Sequence, residues 1–362
     1  MKAVLALCLV ASAAGLHAQT AKPYQEEEVA FMNGAIKLAG TLTTPAGAGP
    51  FPAFVMVTGS GPQNRDEELF GFKPFAVIAD AMARRGVATL RYDDRGVGGS
   101  TGSIATATTA DFAGDALAGA ALLAARPAVD RAHVGVFGHS EGADVAAIAA
   151  AKAPDRVAFI VMMAGMAQAG DVVTRRQAED SARMLGATSQ QVAAVVAAHQ
   201  HATAAVRSNA SADDLSQAIR DLMRAQLLGR AAATPDIVGD VDAFIDRQLP
   251  TVVAQFRSPW MRYFLSFDPS PVFAQVKCPV FALFGGKDTQ VPPDVNRPAL
   301  EAAFAKGGNA RVAVKVYPDA NHLFIKAATG QVTEYPRLEK VFVPGLLDDL
   351  TDWVLGVTRE RR

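Results

Sequence analysis

The sequence predicts an α/β protein: a mostly parallel central sheet flanked by helices, with an inserted helical cap. Three observations carry this expectation. Short apolar runs at 51–58, 87–92, 131–137, 157–163, 280–284 and 311–317 alternate with segments of helical periodicity, and strands separated by helices run parallel through right-handed crossovers. Glycine-containing loops or sharp turns follow several of those runs, at the carboxyl ends of strands where sheets of this kind bind ligands. From about Gln168 to Phe267 the strand signal stops and helical periodicity alone remains.

In order, residues 27–45 alternate around a turn at Asn33-Gly34, which predicts a hairpin of strands Val29–Met32 and Ile36–Thr43. The run 51–58 ends in Gly59-Ser60-Gly61-Pro62, a buried strand leading into a glycine loop. Residues 74–85 read as a helix stopped by Gly86, before a strand at 87–92 that ends in Asp93-Asp94-Arg95-Gly96. Residues 111–125 read as a helix, followed by the strand at 131–137 and a sixth strand at 157–163. Within 168–267 three helices have start signals: Thr188 with Gln191 before 192–206, Ser211 with Asp214 before 215–228, and Pro235 before 237–248. Pro269 and Pro271 close the block. A strand at 280–284, a helix at 294–306, a strand at 311–317 and an amphipathic helix at 345–355 complete the chain. The expected division is therefore a core of 19–167 and 268–362 with a cap of 168–267.

Composition narrows the partners. The 362 residues carry a net charge of −1 and no long basic or acidic run, which argues against nucleic acid and points to a small molecule. Residues 1–18 have a charge, a short apolar stretch and small residues, the pattern of a signal peptide cleaved near Ala18. That implies a secreted or periplasmic protein with no integral membrane segment in the mature chain; Cys8 sits too early for a lipoprotein site. Cys278 is then the remaining cysteine, so no internal disulfide is expected. No Cys/His cluster has ligand spacing, and His199 and His201 diverge on a helix. Neither a metal nor a cofactor is expected. The oligomeric state is not encoded legibly.

The chemistry centres on Gly138-His139-Ser140-Glu141-Gly142, between the strand at 131–137 and the breaker-free run 143–151. A serine on so sharp a strand-to-helix turn has strained dihedrals, and its flanks tolerate no Cβ. Ser140 is thus the candidate nucleophile. Its hydroxyl needs a base within reach and a third group to hold that base in the right tautomer. His17 lies in the leader, His133 begins a strand, His139 adjoins Ser140 and turns back with difficulty, and His199 and His201 fall in the insertion. His322 follows a core strand directly and is the candidate base. Asp288, after 280–284 and Gly285-Gly286, is the favoured acid over Asp319, which shares a loop with His322, and Asp268 at the exit of the insertion. Two amides must face the developing oxyanion, each worth about 3–4 kcal/mol. Glu141 opens a helix whose dipole favours an anion; Ser60, or else Gly61, supplies the second.

Residues 59–67 (Gly-Ser-Gly-Pro-Gln-Asn-Arg-Asp-Glu), 91–100 (Arg-Tyr-Asp-Asp-Arg-Gly-Val-Gly-Gly-Ser) and 138–142 together resemble a bacterial branch of carboxylesterases of the α/β-hydrolase fold, which includes serine aminopeptidase-like proteins. The resemblance spans the mature chain and implies a triad of Ser140, Asp288 and His322. It departs in two places: the loop after the third strand lacks His-Gly-Gly-Gly, and residue 143 is alanine where a third glycine is expected. Asp93, Asp94 and Arg95 read as an ion pair pinning their loop. Arg65, Asp66 and Glu67 read either as a hydrogen-bonded loop or as recognition of a charged substrate end. Trp260, Tyr263, Phe264 and Phe267 share one helical face, which either packs the cap onto the sheet or lines a pocket; Trp260 and Phe264 are the pocket candidates. The expected activity is hydrolysis of carboxylic esters of small or medium acyl groups through an acyl-enzyme. A peptidase or amidase with the same triad, and a non-catalytic binding protein of the same fold, are the alternatives.

Overall fold

The computed structural model of the chain describes residues 22–231 and 240–359. The leader read at 1–18 and the helix start read at Pro235 lie outside these residues. The chain runs β1 (Tyr24–Asn33), β2 (Ile36–Pro45), β3 (Phe51–Val57), α1 (Pro74–Arg84), β4 (Ala88–Tyr92), α2 (Thr109–Ala124), β5 (Val129–His139), α3 (Glu141–Lys152) and β6 (Ile160–Met163). Helices α4 (Gly170–Met184), α5 (Ser189–Arg207), α6 (Ala212–Ala231), α7 (Val241–Phe256), α8 (Pro259–Ser266) and α9 (Ser270–Phe273) precede β7 (Val280–Gly285). Helix α10 (Pro293–Lys306), strand β8 (Val312–Tyr317) and helix α11 (Leu346–Arg359) follow.

The eight strands form one sheet in the order β1-β2-β4-β3-β5-β6-β7-β8. Strand β2 is antiparallel to both neighbours, and every pair from β4-β3 to β7-β8 is parallel. Strand β3 shows how the apolar runs build the core. Ala53, Val55 and Val57 face the side covered by α2, α3 and α10, whereas Phe54 and Met56 face α1 and α11. A strand buried on both faces reads as a continuous run, not an alternating one. Each large side chain so buried contributes about 1.5–3 kcal/mol.

The connection after β3 goes to β4 on one side, while β5 lies on the other. The loops leaving β3 and β5 therefore part company, and the crevice between their carboxyl ends is the topological switch point where ligands bind. Ser60 and Ser140 stand on its two sides.

Helices α5, α6 and α8 share an apolar cluster of their own, including Ala202, Val206, Leu215, Ile219 and Leu265. Thr188 and Gln191 make the reciprocal capping box that starts α5, and the Ser211 hydroxyl accepts the Asp214 amide at 3.1 Å ahead of α6. Helix α4 has no side-chain cap, which is why no start signal announced it. Helix α7 begins behind Asp240, whose carboxylate accepts the Ala243 amide at 3.0 Å, and continues through Pro250 to Phe256, well past the expected end at residue 248. Strand β1 also exceeds its expected span. Residues 25–28 are exposed and polar, so pairing with β2 sets its length where no apolar alternation does. Among the described residues no helix is long and apolar enough to cross a membrane.

Candidate active site

Ser140 sits between β5 and α3 with φ 54° and ψ −120°, a conformation that L-residues adopt only under constraint. Close approach imposes it. A Cβ on Gly138 would stand 1.8 Å from the Gly142 carbonyl oxygen, and one on Gly142 would stand 2.2 Å from that of Val57. The Ser140 amide donates to the Met163 carbonyl at 2.9 Å, anchoring the turn to β6. Ala143, where a glycine was expected, is fully buried; the space is provided opposite, since a Cβ on Gly165 would come within 2.9 Å of it.

Asp288 and His322 leave the ends of β7 and β8, and their side chains meet at 2.7 Å between Oδ2 and Nδ1. The other oxygen of Asp288 accepts the amides of Gln290 and Val291 at 2.8 and 2.9 Å. Burial alone would raise the Asp288 pKa, but the charge and hydrogen bond of His322 and the two amides outweigh it, so the carboxyl stays below its ordinary value. An ionised Asp288 fixes the proton of His322 on Nδ1 and leaves Nε2 as the basic nitrogen. No hydrogen bond joins His322 to the Ser140 hydroxyl among the described residues; such bonds commonly tighten only with substrate bound. The rival acids are engaged elsewhere: Asp319 pairs with Lys287 at 3.4 Å and Asp268 accepts the Ser270 amide at 2.9 Å.

On the other side of Ser140 lies the loop after β3. A Cβ built on Gly59 would be 3.2 Å from Ser140 Cβ, so this loop touches the nucleophile's turn. The Gly59 amide already donates to Glu67 at 2.6 Å, whereas the amides of Ser60, Gly61 and Glu141 take no partner among the described residues. The side chain of Glu141 does more than its amide suggested. It is buried, accepting Thr109 Oγ1 at 2.7 Å and Trp260 Nε1 at 2.8 Å on one oxygen and Ser60 Oγ at 2.8 Å on the other. Burial raises its pKa against the pull of those three donors. One carboxyl thus ties α2, α8 and the loop after β3 to the start of α3.

Sequence reasoning set His139 aside, and the structure gives it a different task. Its Nδ1 lies 2.9 Å from Glu67 Oε1 and its Nε2 lies 2.9 Å from the His322 carbonyl oxygen. Both partners are acceptors, surroundings that favour a proton on each ring nitrogen and hence the imidazolium form of His139. Burial works against that charge, but Glu67 and the carbonyl outweigh it and hold the pKa above the ordinary histidine value. Glu67, at φ 50°, thereby links the loop after β3 to the loop of His322. Nothing in the spacing of Glu67 and His139 announces this pair; the one available signal is that a histidine buried beside the nucleophile must satisfy both nitrogens.

Because the folded pKa of His139 exceeds its unfolded value of 6.5, the pair's contribution is fully present below that value and is lost as pH rises through the folded one. Glu67→Gln is expected to cost about 3 kcal/mol on the acid side, a difference that shrinks toward alkaline pH. Urea unfolding of both proteins across the pH range checks it; a pH-independent difference would argue against a charged His139.

Arg65 and Asp66, proposed for a substrate pocket, are corrected by their partners. Arg65 grips Asp93 through Nε and Nη2 at 3.1 and 2.8 Å, and its Nη1 reaches Glu28 and Thr41 at 2.5 and 2.7 Å. Asp66 pairs with Arg91. Both charges are therefore consumed in holding the loop. The ion pair expected within Asp93–Arg95 is likewise two pairs with outside partners, Asp93 with Arg65 and Arg95 with Asp115, while Asp94 accepts Thr58 Oγ1 and the Gln63 amide, each at 2.9 Å.

A cavity of about 510 Å³ opens beside the free amides, walled by Gly59, Ser60 and Glu141, by Ile104 and Phe112, and by Trp260 of α8. Phe264 does not line it. It stacks on Trp260 with ring centroids 5.2 Å apart and packs into the core, so of the two pocket candidates the cavity wall holds Trp260. His199 contacts Thr174 Oγ1 at 3.0 Å among the helices that precede β7. Among the described residues no group of histidine, cysteine or acidic side chains has the arrangement of a metal site.

Comparison with known proteins places this geometry in context. A family model described as alpha/beta hydrolase fold matches residues 52–327. The chain is 25% identical over 334 residues to Esterase EstD of Thermotoga maritima, a match covering 91% of this chain and 68% of that protein. Among solved structures, an esterase of Pyrococcus furiosus superposes with a TM-score of 0.54 at 14% identity, covering 93% of this chain and 91% of that one. A proline iminopeptidase of Mycobacterium smegmatis superposes with a TM-score of 0.51 at 18% identity, over 93% of this chain and 100% of the other.

Proposed function

The chain belongs to the α/β-hydrolase fold family, and from that premise we propose that it is a serine hydrolase cleaving carboxylic esters of small or medium acyl groups through an acyl-enzyme. It is an enzyme of the hydrolase type. The observation that carries the ester reading is the convergence at one switch point of a strained serine, a buried acid–histidine pair at 2.7 Å and the backbone amides of Ser60, Gly61 and Glu141, which have no partner among the described residues. The likeness to Esterase EstD supports it.

Ser140 Oγ attacks the ester carbonyl carbon while His322 Nε2 takes its proton. The carbonyl oxygen, now an anion, faces the amides of Ser60 and Glu141, which were aligned before the charge formed and need not reorganise. When the carbon–oxygen bond to the alcohol breaks, His322 hands its proton to the leaving oxygen and Ser140 is acylated. Water then attacks the acyl carbon, giving a proton to His322; collapse returns that proton to Ser140 and frees the acid. Asp288 remains ionised throughout and stabilises the imidazolium in each half.

A peptidase or amidase would use the same steps with an amine leaving group. Initial rates on p-nitrophenyl esters and on matched p-nitroanilides separate the two. Esters of short and medium acids are expected to turn over far faster than their anilides; turnover of aminoacyl anilides with the esters untouched would sink the ester reading.

A further inference from the structure

Which side of the scissile bond the 510 Å³ cavity serves follows from its walls. The leaving alcohol must stand beside His322, which protonates it. Ser60 and Glu141, the residues assigned as oxyanion donors, line the cavity, whereas among the described residues neither Ser140 nor His322 is in its wall. Because it adjoins those donors and not the base that meets the leaving alcohol, we assign it to the acyl side. Its volume falls in the range of small-molecule sites, about 300–1,000 Å³, and most of its wall is apolar.

Asp94 interrupts that wall. Asp94 is half-buried and lines the cavity. Thr58 and Gln63 each donate one hydrogen bond to it, and no cation pairs with it among the described residues. Arg65 and Arg95 are committed to Asp93 and Asp115. The acidic neighbours Glu67 and Glu141 disfavour a charge on Asp94. Burial, opposed by the two donors and reinforced by those neighbouring acids, pushes its pKa up to about 8. With Arg95 and Asp115 paired, the cavity has an excess of acid; Asp94 escapes the cost of an unpaired buried charge by holding its proton, and a cationic ligand would stabilise the ionised form instead.

We propose that this cavity binds acyl groups bearing an amine, the ammonium seated against the Asp94 carboxylate and the hydrocarbon lying along Ile104, Phe112 and Trp260. The inference rests on the ester reading above and names the substrate class of the same site. An ammonium satisfies Asp94, an alkyl tail leaves it unpaired, and a carboxylate tail is repelled. Binding a cation requires Asp94 ionised, so KM for an amine-bearing ester falls as pH rises toward about 8 while the amine stays protonated.

The test compares p-nitrophenyl esters of aminohexanoic and hexanoic acids, and the mono-ester of adipic acid, on the full chain and on Asp94→Asn. The amide keeps both local contacts, because the Thr58 hydroxyl can accept as well as donate. The wild-type protein is expected to prefer the aminohexanoyl ester over the hexanoyl ester by about tenfold or more in kcat/KM and to disfavour the adipoyl ester. In Asp94→Asn the amino preference collapses. Each ratio is taken within one protein, so a loss of folded fraction or of general catalysis cancels. No preference in the wild-type chain, or a preference that survives in Asp94→Asn, overturns the proposal while ester hydrolysis stands. Failure to hydrolyse any of the esters would overturn the ester reading and the proposal with it.

Discussion

Ser140→Ala is expected to lower kcat on esters by about 10⁴-fold or more, with the unfolding midpoint close to that of the wild-type chain. The two halves of this result have separate causes. Alanine keeps the Cβ and the φ of 54° that the packed turn enforces, and the hydroxyl it removes has no hydrogen-bond partner among the described residues, so the change in stability should stay within about 0.5 kcal/mol. The chemistry, by contrast, loses the atom that forms the acyl bond in the proposed mechanism. His322, Asp288 and the two amides remain in place with nothing to activate, and a group of residues acting as a unit loses most of its advantage when any one is removed. Retention of more than about a tenth of wild-type turnover would mean that another residue is the nucleophile.

The second large effect is on stability. Gly138→Ala puts a Cβ at 1.8 Å from the Gly142 carbonyl oxygen, 2.1 Å from its carbon and 2.5 Å from the Ala143 nitrogen. All three are backbone atoms of the first turn of α3, and no rotamer change relieves the clash. The turn must open, which is expected to cost about 3 kcal/mol or more. The same displacement moves the Ser140 hydroxyl and the Glu141 amide, so activity per folded molecule should fall as well. Gly356→Ala in α11 is the control: an added Cβ there meets nothing within 4 Å, and exchanging a helical glycine for alanine is expected to stabilise by about 0.5–1 kcal/mol. Denaturant midpoints of the two variants should move in opposite directions. A Gly138→Ala chain with the wild-type midpoint would show that the elbow is not as tightly packed as these distances require.

The parts of the site that were legible in the sequence are those that sit at strand ends. Ser140, Asp288 and His322 each leave a strand whose apolar run is unmistakable, and the sheet does the work of bringing them together. The loop at Ser60 was legible for the same reason. What escaped depends on side chains that find partners far along the chain. Arg65 reads as a spare charge until Asp93 and Glu28, on other elements, take it up. Glu67 and His139 are 72 positions apart, and their pairing needs the left-handed turn at Glu67 that no composition signals. Helical periodicity put Trp260 and Phe264 on one face of α8 but not what that face meets, so it left open whether they pack or line a pocket; the answer differs for the two residues. Strand β1 and the second half of α7 extend beyond their sequence signals because ladder pairing and tertiary packing override local pattern.

The central claim is that Ser140 carries the acyl group, and covalent labelling tests it most directly. After reaction with a fluorophosphonate, peptide mapping of the wild-type chain is expected to find one adduct, on the peptide containing Ser140, and none in Ser140→Ala. A chain that hydrolyses esters yet bears the label on another residue, or bears none, would contradict it.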